Sequence, residues 1–162
     1  MALMLLCLAG ACDAQNAPAP GRRWESKTFS IELPQEWGLA SSGETNPDFQ
    51  FEGPNDITFE VALGKASENP SPADALKALT SVIVLSDGKT TPLTQWSKFS
   101  GLGEEMEGTM NPQAQPPIKA RIIIFVFRHG DDMYIITEIA HMDDYEKYAA
   151  DYKTLEQSFE LK

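Results

Sequence analysis

The sequence predicts an α+β domain, an antiparallel β-sheet with helices packed on it. Three observations carry this. Apolar and polar residues alternate at Phe29, Ile31 and Leu33, and again at Ile57, Phe59, Val61 and Leu63, which is the period of strands with one wet face. Residues Ile122 to Phe127 are continuously apolar, as in a central strand covered on both sides. Two stretches, one following Ser71 and one following Asp143, switch to helical spacing. The order is strands, helix, strands, long hairpin, helix, which segregates α from β.

The first strand runs to Leu33 and ends at Pro34. Phe49 and Phe51 make a second strand, and the Gly53-Pro54-Asn55-Asp56 turn joins it to a third as a hairpin. Ser71 is a good N-cap, Pro72 suits the first helical position, and Asp74 stands where a capping box places an acid. Leu76, Leu79, Val82 and Ile83 form that helix's apolar stripe, and Gly88 marks its exit. Two strands are expected next, "PLTQWSKF" and "GEEMEGTM", joined by Gly101-Leu102-Gly103 and followed by a Pro- and Gln-rich loop over 111–117. The apolar strand turns at His129-Gly130-Asp131-Asp132, and Met133 to Ala140 return antiparallel. Asp143 and Glu146 form a capping pair for the last helix, whose stripe is Tyr145, Tyr148, Tyr152, Leu155 and Phe159. No internal repeat is present.

The opening "FSIELPQEW", the mid-chain helix, the hairpin ending "YIITEIA" and the final helix closing on "SFE" resemble the PsbP-like and DcrB-like superfamily. The resemblance spans residues 28–162. Its motifs are structural: an aromatic-x-Ile-x-x-Pro-x-x-Trp signature from Phe29 to Trp37, and the terminal Ser158-Phe159 pair. It implies a sandwich-like α+β domain in an exported or lipid-anchored accessory protein, assembly factor or chaperone, and no enzyme. It transfers no catalytic residue.

The N-terminus supplies an address. Residues 1–11, MALMLLCLAGA, are uncharged and almost wholly apolar, too short to span a bilayer and of the right length for the apolar region of a signal peptide. No Lys or Arg precedes the run, so a start codon upstream of Met1 is expected. Ala9-Gly10-Ala11 suits ordinary signal peptidase, and Leu8 to Cys12 resembles the lipobox of bacterial lipoproteins. Gly10 and Ala11 match that pattern, whereas Ala9 stands where Leu is favoured. Cleavage after Ala11 and lipidation of Cys12 are therefore expected. Residues 12–27 read as the lipidated cysteine and a flexible, Pro- and Ala-rich tether, within which Arg22 and Arg23 serve solubility. Residues 28–162 then form a single domain with no possible internal disulfide, since Cys12 is the only cysteine left after cleavage.

Composition excludes some functions. Thirteen Lys and Arg against 24 Asp and Glu give a net charge of −11, which repels nucleic acid and opposes lying flat on an anionic bilayer. His129 with Asp131 and Asp132 could suggest zinc, but these residue types are ordinary turn formers, and neighbouring turn residues point apart. His141 lies at a strand-to-helix junction. There is no G-x-S-x-G elbow, and Gly101-Leu102-Gly103 lacks what a phosphate loop needs. Trp24, Trp37 and Trp96 read as plugs of the core edge. Glu105 and Glu107 share a solvent face while Glu104 points with Met106, so the acidic run is a solvated face and no glycosidase pair. It is also the densest candidate partner face: Glu104, Glu105 and Glu107. No catalytic residue, metal or cofactor is expected. The expectation is a monomeric, lipid-anchored envelope protein on the periplasmic side of the inner or outer membrane, acting by binding another protein. A carrier of a small or apolar ligand is the alternative, and a hydrolase stands third.

Overall fold

The computed structural model describes residues 21–42, 49–65, 71–111 and 116–162. The segment carrying Ala11 and Cys12 lies outside the described residues. The strands are β1 (Arg22–Glu25), β2 (Phe29–Leu33), β3 (Gly38–Ser42), β4 (Phe49–Glu52) and β5 (Thr58–Lys65). Helix α1 (Pro72–Thr80) follows, then β6 (Ser86–Trp96), β7 (Phe99–Asn111), β8 (Ile118–His129) and β9 (Asp132–His141), and finally α2 (Met142–Ser158) and β10 (Glu160–Leu161). One sheet has seven strands in the order β3-β4-β5-β9-β8-β7-β6, and a small one has the order β1-β2-β10. Every pairing is antiparallel. The α+β class is as the sequence indicates.

The unbroken apolar run of β8 has a simple cause. Ile123, Phe125 and Phe127 enter a core shared with β2 and α2, while Ala120, Ile122, Ile124 and Val126 enter a second core with Ala75 and Leu76 of α1. The seven-stranded sheet is thus a middle layer, with α1 on one side and α2 plus the small sheet on the other. The first core is aromatic. Phe159 contacts Phe29, Trp96, Phe99 and Tyr134, with ring centroids 5.0 to 6.5 Å apart. Trp37 and Trp96 are buried and Trp24 packs against the same cluster, so the three indoles fill its margins.

Five local expectations need correction. The tether does not reach residue 27, because Arg22–Glu25 form β1 against β2. Arg23 donates to Ser30 Oγ at 2.7 Å and pairs with Glu160 at 2.8 Å, tying all three strands of the small sheet. Helix α1 is capped by Ser71 as expected but stops at Thr80. Val82, assigned to its stripe, is 77% exposed, and Gly88 lies inside β6 rather than at a helix exit. The β6–β7 turn is Ser97-Lys98, with Ser97 at φ 52°, and Gly101 and Gly103 lie inside β7. Those glycines make room: a Cβ at Gly103 would come within 2.6 Å of the Phe125 ring. Last, the Asp143–Glu146 capping pair is not made. His141 occupies the N-cap with no side-chain hydrogen bond, and Phe159 ends α2 as its C-cap rather than extending its stripe.

Candidate functional site

Strands β7, β8 and β9 bring three charged side chains onto the face that α2 covers. In the ladder Ile123 stands opposite Glu105 on one side and Glu138 on the other. Because paired residues project to the same face, all three point toward α2, as does Arg121 two residues earlier. Arg121 Nε donates to Glu105 Oε1 at 2.7 Å, and its guanidinium carbon lies 3.6 Å from the centre of the Tyr145 ring. Both members of the pair are largely shielded, with side-chain exposures of 12% and 24%. Glu105 is therefore clamped, not a freely solvated carboxylate.

Glu138 is the unusual group. It is 2% exposed, in the middle of β9, where an apolar residue would continue the register of Tyr134, Ile136 and Ala140. Trp96 Nε1 donates to its Oε1 at 2.8 Å, whereas its Oε2 finds no hydrogen-bond partner among the described residues. Removal from water disfavours the carboxylate, and the nearby Glu156 charge adds to this, so its pKa is pushed up to about 8. The Trp96 hydrogen bond and Arg121 oppose the shift without cancelling it. At neutral pH this carboxyl is held protonated. Burial also raises Glu156, with Arg121 and Lys153 pulling it back. Tyr145 and Tyr152 are raised by burial as well, and the Tyr152 hydroxyl pins α2 to the sheet through the carbonyls of Ile139 at 2.8 Å and Thr58 at 3.2 Å.

Above this cluster an open trough of about 730 Å³ runs between α2 and the β6–β7 turn. Gln95, Lys98, Lys153 and Gln157 form its exposed rim, and the half-buried Tyr145 and Glu156 lie on its inner side. The cluster can hold a proton and a fixed ion pair side by side.

The predicted acidic run divides between two faces. Glu105 is in the cluster just described, and Glu107 stands opposite Arg121 in the ladder. Glu104 lines a different cleft, of about 360 Å³, on the α1 side with Lys77, Ile83, Leu85, Lys89 and Met106. The three glutamates thus form no single patch. His141 Nδ1 sits 3.9 Å from Asp144, and Asp132 of the His129 turn pairs with Lys65. Among the described residues no group of three or more His, Cys, Asp or Glu is arranged to hold a metal ion, and no helix is long and apolar enough to cross a membrane. Sequence reasoning missed Glu138 and Arg121. Their signal was available, because each is a charged residue on the inward register of an otherwise apolar strand.

No family model matches the sequence, and no curated protein matches it. Its fold does have counterparts among solved structures. The chain is similar to cyanobacterial PsbP (CyanoP) from Synechocystis sp. PCC 6803, with TM-score 0.53 and 10% identity over 94% of this chain and 98% of that one. It is similar to the Saccharomyces cerevisiae Ran-binding protein Mog1p, with TM-score 0.56 and 9% identity over 87% and 95%. It is similar to LpqN, described as involved in cell envelope biogenesis of Mycobacterium tuberculosis, with TM-score 0.51 and 12% identity over 88% and 86%. A Bacteroides thetaiotaomicron structure matches 89% of this chain at TM-score 0.55 and 12% identity, and the chain spans about half, 49%, of its length. These likenesses establish a PsbP-like fold.

Proposed function

We propose that this chain is a lipid-anchored accessory protein of the cell envelope that works by holding another protein in the α2-side trough. The observation that carries the reading is the form of that trough. It is open, edged by exposed hydrogen-bonding side chains and set between α2 and the β6–β7 turn. Small-molecule sites are typically concave and mostly apolar, whereas an open polar margin suits a protein surface. The reading assigns the domain no reaction, no cofactor and no nucleic-acid partner. Fold counterparts described as Ran-binding and as involved in envelope biogenesis lend it support. It takes the domain as a monomer, because edge strand β6 carries Pro92 and two register shifts that obstruct pairing with a second copy.

The address rests on Cys12. Replacing it by serine is expected to move the protein out of the membrane fraction, and wild-type protein found in the aqueous phase of a detergent extraction would overturn the anchor. The chain between Cys12 and Gly21 reaches at most about 30 Å when extended, so the partner must lie at or close to the same membrane.

Association is expected to respond to charge. Glu107→Gln removes one negative charge without setting a second cation opposite Arg121, and should slow capture of a basic partner by roughly threefold at low ionic strength, with added salt mimicking it. In-cell crosslinking followed by capture identifies the partner, and stopped-flow mixing with it reads the rate. If no protein is enriched over an unrelated domain carrying the same anchor, the binding reading fails.

A second reading, a carrier of a small or apolar ligand, has its own place in the structure. The α1-side cleft presents Ile83, Leu85 and Met106 among polar groups, with Lys77 and Lys89 facing Glu104, a lining that could take a small ligand carrying both apolar and polar parts. A retained small molecule in the native mass spectrum would favour this reading.

A further inference from the structure

We propose that Arg121 is a two-position latch, resting on Glu105 in the form described here and crossing to Glu138 once that carboxyl becomes charged. This goes beyond protein binding and does not depend on what the protein binds.

The ladder provides the geometry. Glu105 and Glu138 stand on strands to either side of β8, both opposite Ile123. Arg121 precedes Ile123 by two residues on the same face, so it is the diagonal neighbour of both carboxyls. Diagonal neighbours in an antiparallel sheet lie roughly 7–8 Å apart, within reach of an arginine on either side. One of the two positions is filled, by the 2.7 Å bond from Nε to Glu105. The other ends in a buried oxygen, Glu138 Oε2, that lacks a partner among the described residues.

A neutral Glu138 leaves that oxygen tolerable and gives Arg121 no reason to cross. An ionised Glu138 reverses the balance. A buried carboxylate with one hydrogen bond, from Trp96, is costly to leave unpaired, while Glu105 is partly solvated and can be released to water. The surrounding charges point the same way. Glu105 on β7 and Glu156, Tyr145 and Tyr152 on α2 face this region, and Arg121 on β8 is the cation among the groups that act on Glu138. The proton leaves to solvent, and Arg121 changes carboxylate without changing its own charge.

Crossing has a visible consequence. The Arg121 guanidinium now lies against Tyr145, in the first half of α2, ahead of Tyr148. Tyr148 departs from helical geometry at φ −107°, ψ 18°, so the turn bearing Tyr145 is already separated from the rest of the helix. Withdrawing the guanidinium uncovers Tyr145 and frees the Glu105 carboxylate.

The test follows three signals in the isotope-labelled full chain from pH 6 to 9.5: the Trp96 indole ¹⁵N resonance, the Arg121 ¹⁵Nε–¹³Cζ correlation and the Tyr145 ring resonances. All three are expected to titrate together, with a midpoint of about 8. In Glu138→Gln all three should stay flat across the range. In Glu105→Gln the Arg121 and Tyr145 signals should already occupy their alkaline positions at neutral pH or reach them at a lower midpoint. A titrating Trp96 with an unmoving Arg121 would show that Glu138 ionises without the latch and would overturn the proposal. So would the absence of any titration below pH 9.5. The wild-type series decides the matter even if a variant fails to fold.

Discussion

Replacing Phe159 by alanine is expected to destabilise the domain by about 3–5 kcal/mol, measured by urea unfolding of the folded region. The side chain is fully buried and stacks on Phe29 at a centroid distance of 5.0 Å, with Trp96 and Phe99 edge-on at 5.6 and 5.7 Å. It therefore touches the small sheet, the β6–β7 hairpin and the end of α2 at once. Little can collapse into the space it leaves, because its neighbours are rings fixed by strands, and the cost of a cavity rises with how much of it stays open. Domains of this size are stabilised by only about 5–15 kcal/mol, so the variant should unfold at far lower urea. A loss below about 1 kcal/mol would mean that the end of α2 is peripheral to folding.

Glu138→Gln is expected to act in the opposite direction and to depend on pH. The native carboxyl keeps its proton up to about pH 8, while in the unfolded chain it titrates near the ordinary glutamate value of 4.5. Between those values the native state binds more protons than the unfolded state, so stability falls as pH rises, by ~1.4 kcal/mol per unit for this group. The contribution is fully present below 4.5, declines through the window, and changes no further above about 8. Glutamine has no proton to lose and should remove this component of the slope. At pH 4 the variant should match the wild type, or be weaker if its amide lacks an acceptor. By pH 7 its stability relative to the wild type should have improved by roughly 3 kcal/mol. Unfolding free energies at pH 4, 5.5, 7 and 8.5 check this, and parallel curves for the two proteins would refute it.

Residue by residue, legibility tracked whether a local pattern had one physical cause. The β8 run announced itself because only a strand covered on both faces needs apolar residues at successive positions. Ser71 and Pro72 marked the start of α1 because capping chemistry is local. The Gly101-Leu102-Gly103 segment misled because glycine has two uses. It permits turns, and it also permits close approach, here of the Phe125 ring to β7. The actual turn at Ser97-Lys98 carries neither Gly nor Pro. Arg22 to Glu25 were read as tether because four polar-rich residues show no period; their strand exists through pairing with β2, which is a tertiary fact. The acidic run showed its alternation correctly but concealed its neighbours, since nothing local says that Arg121 will clamp Glu105.

Strand β1 also determines how the domain meets mechanical load. Whatever pulls on the chain ahead of Gly21 pulls first on a four-residue edge strand that is hydrogen-bonded on one side only, to β2. The ion pairs of Arg23 with Glu160 and of Lys162 with Glu25 fasten that strand's surroundings to the far end of the polypeptide. Tension thereby loads the small sheet and, through the contacts of Trp24 with Phe49 and Phe51, strand β4 of the seven-stranded one. A pull along the chain ahead of Gly21 would peel β1 away and draw Trp24 from the margin of the aromatic core, where it packs on Phe29, Phe49 and Phe51.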